Sequence, residues 1–100
     1  MKKKYAFVLL GSEYNPQSHH ATFETEKQIT YIRTVRDFDE AAATVLSLQE
    51  EGVGAVELCG AFGEQKAREL IGATDGKVAI GFVTHLQEQD SLFDAFFSSF

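Results

Sequence analysis

Four short apolar runs, at residues 5–10, 29–35, 53–59 and 78–84, constrain this chain more than any other feature. Each is too short for a core helix and is bounded by turn residues, so each reads as a buried strand. YAFVLL ends at Gly11, ITYIRTV is rich in β-branched and aromatic side chains, VGAVELC follows Gly52, and VAIGFVT follows the turn Asp75-Gly76. Segments of helical period separate the last three. Strand, helix, strand, helix, strand with short connections means successive right-handed βαβ units on a parallel sheet. The last two runs place apolar residues on both faces of their strands, as parallel strands covered on both sides do. The expected architecture is therefore one α/β domain over residues 1–100. It has a mostly parallel sheet of four to five strands, elements in the order β-loop-β-α-β-α-β-α, and helices packed on the sheet.

The first helix starts after Asp37, which can cap it, with Glu40 three residues later as in a capping box. Phe38, Ala41, Ala42, Val45, Leu46 and Leu48 recur at helical spacing, and Gly52 supplies the stop. Residues 64–71 form the second helix, with Ala67, Leu70 and Ile71 facing inward. Residues 12–28 are long for a loop in a domain of this size. Within them Asn15-Pro16 reads as a cap and first-turn proline, predicting a helical turn over 16–20, and residues 21–25 are expected to be extended. A third helix begins at Asp90 and carries Leu92, Phe93, Phe96, Phe97 and Phe100 as one aromatic stripe.

That last segment, residues 86–100, bears on assembly. Each of its five large apolar side chains is worth about 1.5–3 kcal/mol when fully buried. Two helices cannot cover both faces of a four-stranded sheet well. Either the C-terminal helix docks on its own second face or it meets a partner, and a homodimer or higher homo-oligomer is expected.

Composition excludes several classes. The chain has a net charge of −6, with six basic and seven acidic residues in 1–50 and three and eight in 51–100. An acidic domain without a Lys/Arg stripe matches polyanions poorly, so no nucleic-acid partner is expected. Lys2, Lys3 and Lys4 form the one basic cluster, a solvated start to the first strand. The apolar run behind them is short for a signal peptide and lacks a small-residue cleavage site. No run approaches the roughly 20 apolar residues of a membrane span. A single cysteine makes no internal disulfide, and an ordinary soluble, cytoplasmic protein is expected.

Chemistry-bearing residues collect where the strands end. In open α/β sheets ligands bind outside the carboxyl ends of the strands. That edge gathers Ser12 after the first run, Arg36 after the second, Glu57 to Gly63 around the third, and Thr84-His85 after the fourth. Glu57 lies in an otherwise apolar strand, where an unpaired carboxylate is costly. It is a candidate general acid/base, or else a carboxylate paired with Arg33, Arg36 or backbone amides or pointing outward. Cys59 near a helix start is a candidate nucleophile with His85 as its base, or simply a small buried hydrophobe. Gly60 and Gly63 leave backbone N–H groups available to an anion, or serve only as a tight strand-to-helix turn. Ser12, Arg36 and Thr84 complete the candidate ligand-binding set. Adjacent His19 and His20 diverge and match no zinc spacing, so no metal site is expected. No dinucleotide fingerprint, phosphate-binding loop, nucleophile elbow or paired CxxC is present, and no cofactor is implied.

At Glu57-Leu58-Cys59-Gly60-Ala61-Phe62-Gly63 the sequence resembles a family of small bacterial proteins catalogued as a domain of unknown function. The resemblance extends over most of the chain. It takes in the opening KYAFV, Pro16 with His19 or His20, Glu50-Glu51-Gly52-Val53, and the stretch from Lys77 to Val83. Members typically carry proline where Ala79 stands, and the C-terminal helix lies outside the matched motifs. The resemblance implies the same fold and no assigned activity. Two functions are carried forward. One is a small-molecule binding or oligomeric accessory domain holding a polar or anionic ligand at the strand ends. The other is a small isomerase- or hydrolase-type enzyme using Glu57 with Cys59 or His85.

Overall fold

The structure, a computed structural model, describes residues 1–98. Phe100, the last member of the expected aromatic stripe, lies outside the described residues. Strand β1 (Lys3–Leu10) is central, with β3 (Gln28–Val35) on one side and β4 (Ala55–Leu58) on the other. Outside these lie β2 (Ala21–Glu24) and β5 (Ala79–Phe82), giving the order β2-β3-β1-β4-β5. The pairs β1–β3, β1–β4 and β4–β5 are parallel, and β2–β3 is antiparallel. The small α/β domain with a mostly parallel five-stranded sheet is thus the architecture read from the apolar runs.

The long loop is structured. Asn15 Oδ1 accepts from the Gln17 N–H at 3.0 Å, and the Ser18 and His19 N–H groups donate to the Asn15 carbonyl, which closes one turn. Beyond it β2 and β3 form a hairpin whose turn is tied by Thr25 Oγ1, which accepts from the Lys27 and Gln28 N–H groups. The fifth strand therefore comes from the polar segment, on the sheet edge, where a short strand needs no apolar run.

Helix α1 (Phe38–Glu50) begins where Asp37, in extended conformation, accepts the Glu40 N–H at 2.8 Å. Glu40 in turn accepts the Arg36 N–H at 2.8 Å and the Arg36 guanidinium, a reciprocal cap shifted by one residue. Hydrogen bonds from Arg36 hold the Glu40 carboxyl below its ordinary value. At the other end Gly52 has φ +98°, its N–H donates to the Gln49 carbonyl, and the Val53 N–H donates to the Leu48 carbonyl. This paired closure needs a left-handed residue, which glycine adopts without strain. It takes up Val53; the Gly54 N–H already donates to the Lys4 carbonyl at 3.0 Å, and β4 runs from Ala55 rather than from residue 53.

Both crossovers run the same way along the sheet, from β3 over β1 to β4 and from β4 to β5. Right-handed connections then put both helices on one face. Helices α1 and α2 (Gly63–Ala73) do share one core. Ala41, Val45 and Leu48 of α1 and Ala67 and Leu70 of α2 pack with Ala6, Val8, Tyr31, Val35, Val56 and Leu58 of the sheet. Thr74, also buried, donates to the Ile71 carbonyl at 3.1 Å and extends the α2 stripe at helical spacing. Ile71, expected to face inward, is 40% exposed because it lies about 100° around the helix from Leu70.

Of the two expected ways of covering the second sheet face, the C-terminal helix docked on its own sheet is corrected. The register places Tyr5, Phe7, Leu9, Thr30, Ile32, Ala55, Glu57, Ala79 and Gly81 on the face away from α1 and α2, and none of these is buried; Thr34, opposite Leu9 on the same face, is buried where its hydroxyl donates to the His19 carbonyl at 2.7 Å. A third helix, α3 (Asp90–Phe97), follows a 3₁₀ turn (Gln87–Gln89), and its main contact is that turn. No described residue of α3 is buried, so it does not cover the second face. Among the described residues no helix is long and apolar enough to cross a membrane.

Candidate functional site

The chain leaves β1 toward β3 and leaves β4 toward β5, so connections diverge between these two neighbouring strands. Such a switch point opens a crevice beyond the strand ends. A cavity of about 560 Å³ lies there. Its walls come from the end of β1 (Leu9, Leu10), the segment after β4 (Cys59, Gly60, Ala61, Gly63) and the end of β5 with its continuation (Phe82, Val83, Thr84, His85). Tyr14 and, from α3, Phe93, Asp94 and Phe97 complete it.

Two hydrogen bonds hold the first two walls together. The Cys59 N–H donates to the Val8 carbonyl at 3.0 Å, and the Leu10 N–H donates to Cys59 Sγ at 3.3 Å. The thiol is thereby fixed between the ends of β1 and β4, partly buried. The Val83 N–H donates to the Leu58 carbonyl at 2.9 Å and carries the β5 wall past the last sheet residue. After Cys59 the chain turns sharply, with the Phe62 N–H on the Cys59 carbonyl, and Gly63 enters α2 at φ +75°. Among the described residues no side chain caps α2, so its first N–H groups have neither an intrahelical nor a side-chain acceptor there.

His85 forms the polar corner. Its Nε2 lies 2.7 Å from Asp90 Oδ1, and its ring stacks on Phe93 with centroids 4.1 Å apart. An ionised Asp90 only accepts, so Nε2 donates and a neutral ring keeps its lone pair on Nδ1. Phe93 stacks in turn toward Phe97 at 6.4 Å, which makes the α3 wall aromatic. Apart from Tyr14, Cys59, Thr84, His85 and Asp94, the lining side chains are aliphatic, aromatic or absent.

Of the residues singled out in the sequence, Cys59, Gly60, Gly63, Thr84 and His85 meet at this one cavity. Glu57 does not join them. It is exposed on the sheet face away from the helices and accepts the Tyr5 hydroxyl at 3.0 Å. Burial, then the Glu57 hydrogen bond and charge, raise the Tyr5 phenol above its ordinary value. Ser12 is exposed in the turn after β1, apart from the cavity lining. Arg36 borders a separate cleft of about 530 Å³ with Asn15, Pro16 and Gln17, and its guanidinium is committed to Glu40. His19 Nδ1 accepts the Asn15 N–H at 2.9 Å. Among the described residues no group of three His, Cys, Asp or Glu side chains stands close enough to hold a metal ion.

Sequence reasoning did not find Asp90, Asp94 and Tyr14 at the site. Asp90 follows His85 by five residues, and only the 3₁₀ turn between them brings the two side chains together. The α3 aromatics were legible as a stripe but not as a cavity wall.

A family model described as a family of unknown function (DUF6506) matches residues 3–98, and the chain belongs to that family. No curated protein and no solved structure matches the chain.

Proposed function

We propose that this chain binds a small molecule with a largely apolar body and a polar or anionic end in the cavity beyond β1, β4 and β5. The observation that carries this is the cavity itself. At about 560 Å³ it has the size of a small-ligand cleft, and it opens where ligands collect on sheets of this topology. Leu9, Leu10, Phe82, Val83, Phe93 and Phe97 suit the apolar body. The uncapped start of α2 at Gly63, with the backbone of Gly60 and Ala61 beside it, suits a carboxylate or similar group. Thr84 and His85 can orient that end by hydrogen bonds. Asp94 on the α3 wall disfavours a second negative charge.

A thermal-shift screen of medium-chain and aromatic carboxylates tests this on the wild type and on Ala61→Trp, which fills the cavity. A ligand at 100 times its Kd stabilises by about 2.7 kcal/mol, or about 10–20 °C for a domain of this size. The wild type gains that shift and Ala61→Trp does not. Equal shifts in both would put binding elsewhere, and a flat response across the panel would reject the proposed ligand class.

A second function, covalent catalysis at Cys59, is favoured by one arrangement. Cys59 and His85 border the same cavity, and Asp90 fixes the imidazole. Nucleophile, base and orienting carboxylate are the parts such chemistry needs. Glu57, facing the other way, has no part in it. Alkylation of Cys59 followed against pH discriminates. A thiol that titrates at the ordinary value of about 8.5, with a rate unchanged by His85→Ala, eliminates the nucleophile.

A further inference from the structure

The sheet has one face sealed by helices and one left largely open, closed at Thr34, whose hydroxyl donates to the His19 carbonyl. On the sealed face Ala6, Val8, Val56 and Leu58 have almost no solvent exposure. On the open face Tyr5, Phe7, Leu9 and Ile32 are only partly buried, and Phe23 at the edge is 58% exposed. Five strands spaced about 4.8 Å apart, with four residues each rising about 3.3 Å, make a face of roughly 300–400 Å². Beside it α3 exposes Leu92, Phe93, Phe96 and Phe97 at 41–71%. For side chains of this size that is about 400–500 Å² of apolar surface. Leu9 belongs both to the open face and to the cavity wall that α3 completes, so the two areas adjoin. Together they approach the roughly 800 Å² that each partner contributes to a stable protein interface.

Two charges on the same face favour a second copy as the occupant. Lys3 starts β1, and Glu57 lies on β4 opposite Phe7. Lys3 and Phe7 share the open face four residues apart, so Lys3 and Glu57 are separated by about 13 Å along the strands. They cannot pair within one chain, and among the described residues Lys3 has no acidic partner. A two-fold axis level with Tyr5, midway between them, sets each Lys3 over the other copy's Glu57. Carrying both members of a charge pair, the face can meet a copy of itself without like charges opposed, as an isologous contact needs.

We propose that a second copy of this chain seats on the open sheet face, strands antiparallel across a two-fold axis, with α3 of each copy flanking the contact. The contact shares Leu9, Phe93 and Phe97 with the cavity wall, but Phe7 and Phe23 lie outside the cavity lining, so variants there test the dimer apart from ligand binding. Sedimentation of the full chain up to about 100 μM tests it. The expected mass is twice 11.1 kDa. Phe7→Glu, at the centre of the face, raises the dimer Kd by at least about 30-fold with an unchanged circular dichroism spectrum. If Phe7→Glu fails to fold, Phe23→Ser at the exposed edge carries the same expectation at about 5-fold. Lys3→Glu and Glu57→Lys each weaken the dimer by about 5–10-fold, and the double reversal restores it. A wild type that remains monomeric at the highest concentration overturns the proposal. So does a dimer indifferent to Phe7→Glu and Phe23→Ser, or reversals whose effects simply add.

Discussion

Leu58→Ala measures the sealed face directly. Leu58 ends β4, has no solvent exposure, and is among the largest fully buried side chains of the chain. Its backbone is pinned on both sides, paired with Val8 of β1 and Phe82 of β5, and the core around it includes α1 and α2. Removing three carbons forfeits about 2.4 kcal/mol of transfer free energy at about 0.8 kcal/mol per methylene. The void adds to this, because a sheet held between two strands and two helices cannot close over it. Leucine-to-alanine changes in cores cost about 2.7–5.0 kcal/mol, the upper half where collapse is blocked. About 4 kcal/mol is expected, against a total of about 5–15 kcal/mol for a domain of this length. Urea unfolding followed by circular dichroism at fixed protein concentration reads this as a fall in midpoint at constant slope. The thermal midpoint falls by about 15–30 °C. Ile71→Ala is the control: at 40% exposure on α2 it should cost under about 1 kcal/mol. A Leu58→Ala loss below about 1.5 kcal/mol, or an equal loss at Ile71, would refute the assignment of the core to this face.

Other consequences are open to measurement. Asp37→Ala removes the acceptor of the Glu40 N–H and should destabilise by about 0.5–2 kcal/mol in urea titration. Gly52→Ala forces a side chain into φ +98° and should cost about 1–2 kcal/mol, whereas Gly54→Ala, with open space around it, should change stability by under about 0.5 kcal/mol. The folded-state phenol of Tyr5 is raised above 10.0. Its contribution is therefore complete below pH 10 and lost as pH rises through the folded value, and Tyr5→Phe should flatten that part of an alkaline unfolding profile. Glu40 is shifted the other way, lowered from 4.5. Its contribution is present above that value and lost as pH falls through the folded one, so Glu40→Gln should reduce the acid slope.

Local chemistry made much of the fold legible. The β-branched and aromatic runs, the Asp37 cap and the Gly52 stop act within a few residues of themselves, and they specify strands, helix starts and helix ends wherever the chain goes. A parallel sheet followed from their alternation, because a helix packed on the sheet returns the chain to the edge it left, and the next strand then runs the same way. Strand β2 was less visible because an edge strand pairs through its backbone and can be polar.

Which face a strand residue meets is a different kind of question. Tyr5, Phe7 and Leu9 are as apolar as Ala6, Val8 and Leu10, and periodicity cannot tell a face sealed by this chain's own helices from one left open. Crossover direction decides it, by sending both α1 and α2 to the same side. The same holds for the site. Cys59, Gly60, Gly63, Thr84 and His85 were legible as strand-end residues, since topology alone brings strand ends together. Glu57 was drawn in with them because it precedes Cys59 by two residues. Sequence determined that this carboxylate lies in an apolar strand. Only the tertiary structure decided that it points away from the cavity, onto the open face of the sheet, because exposure depends on what packs above a strand and not on the strand itself.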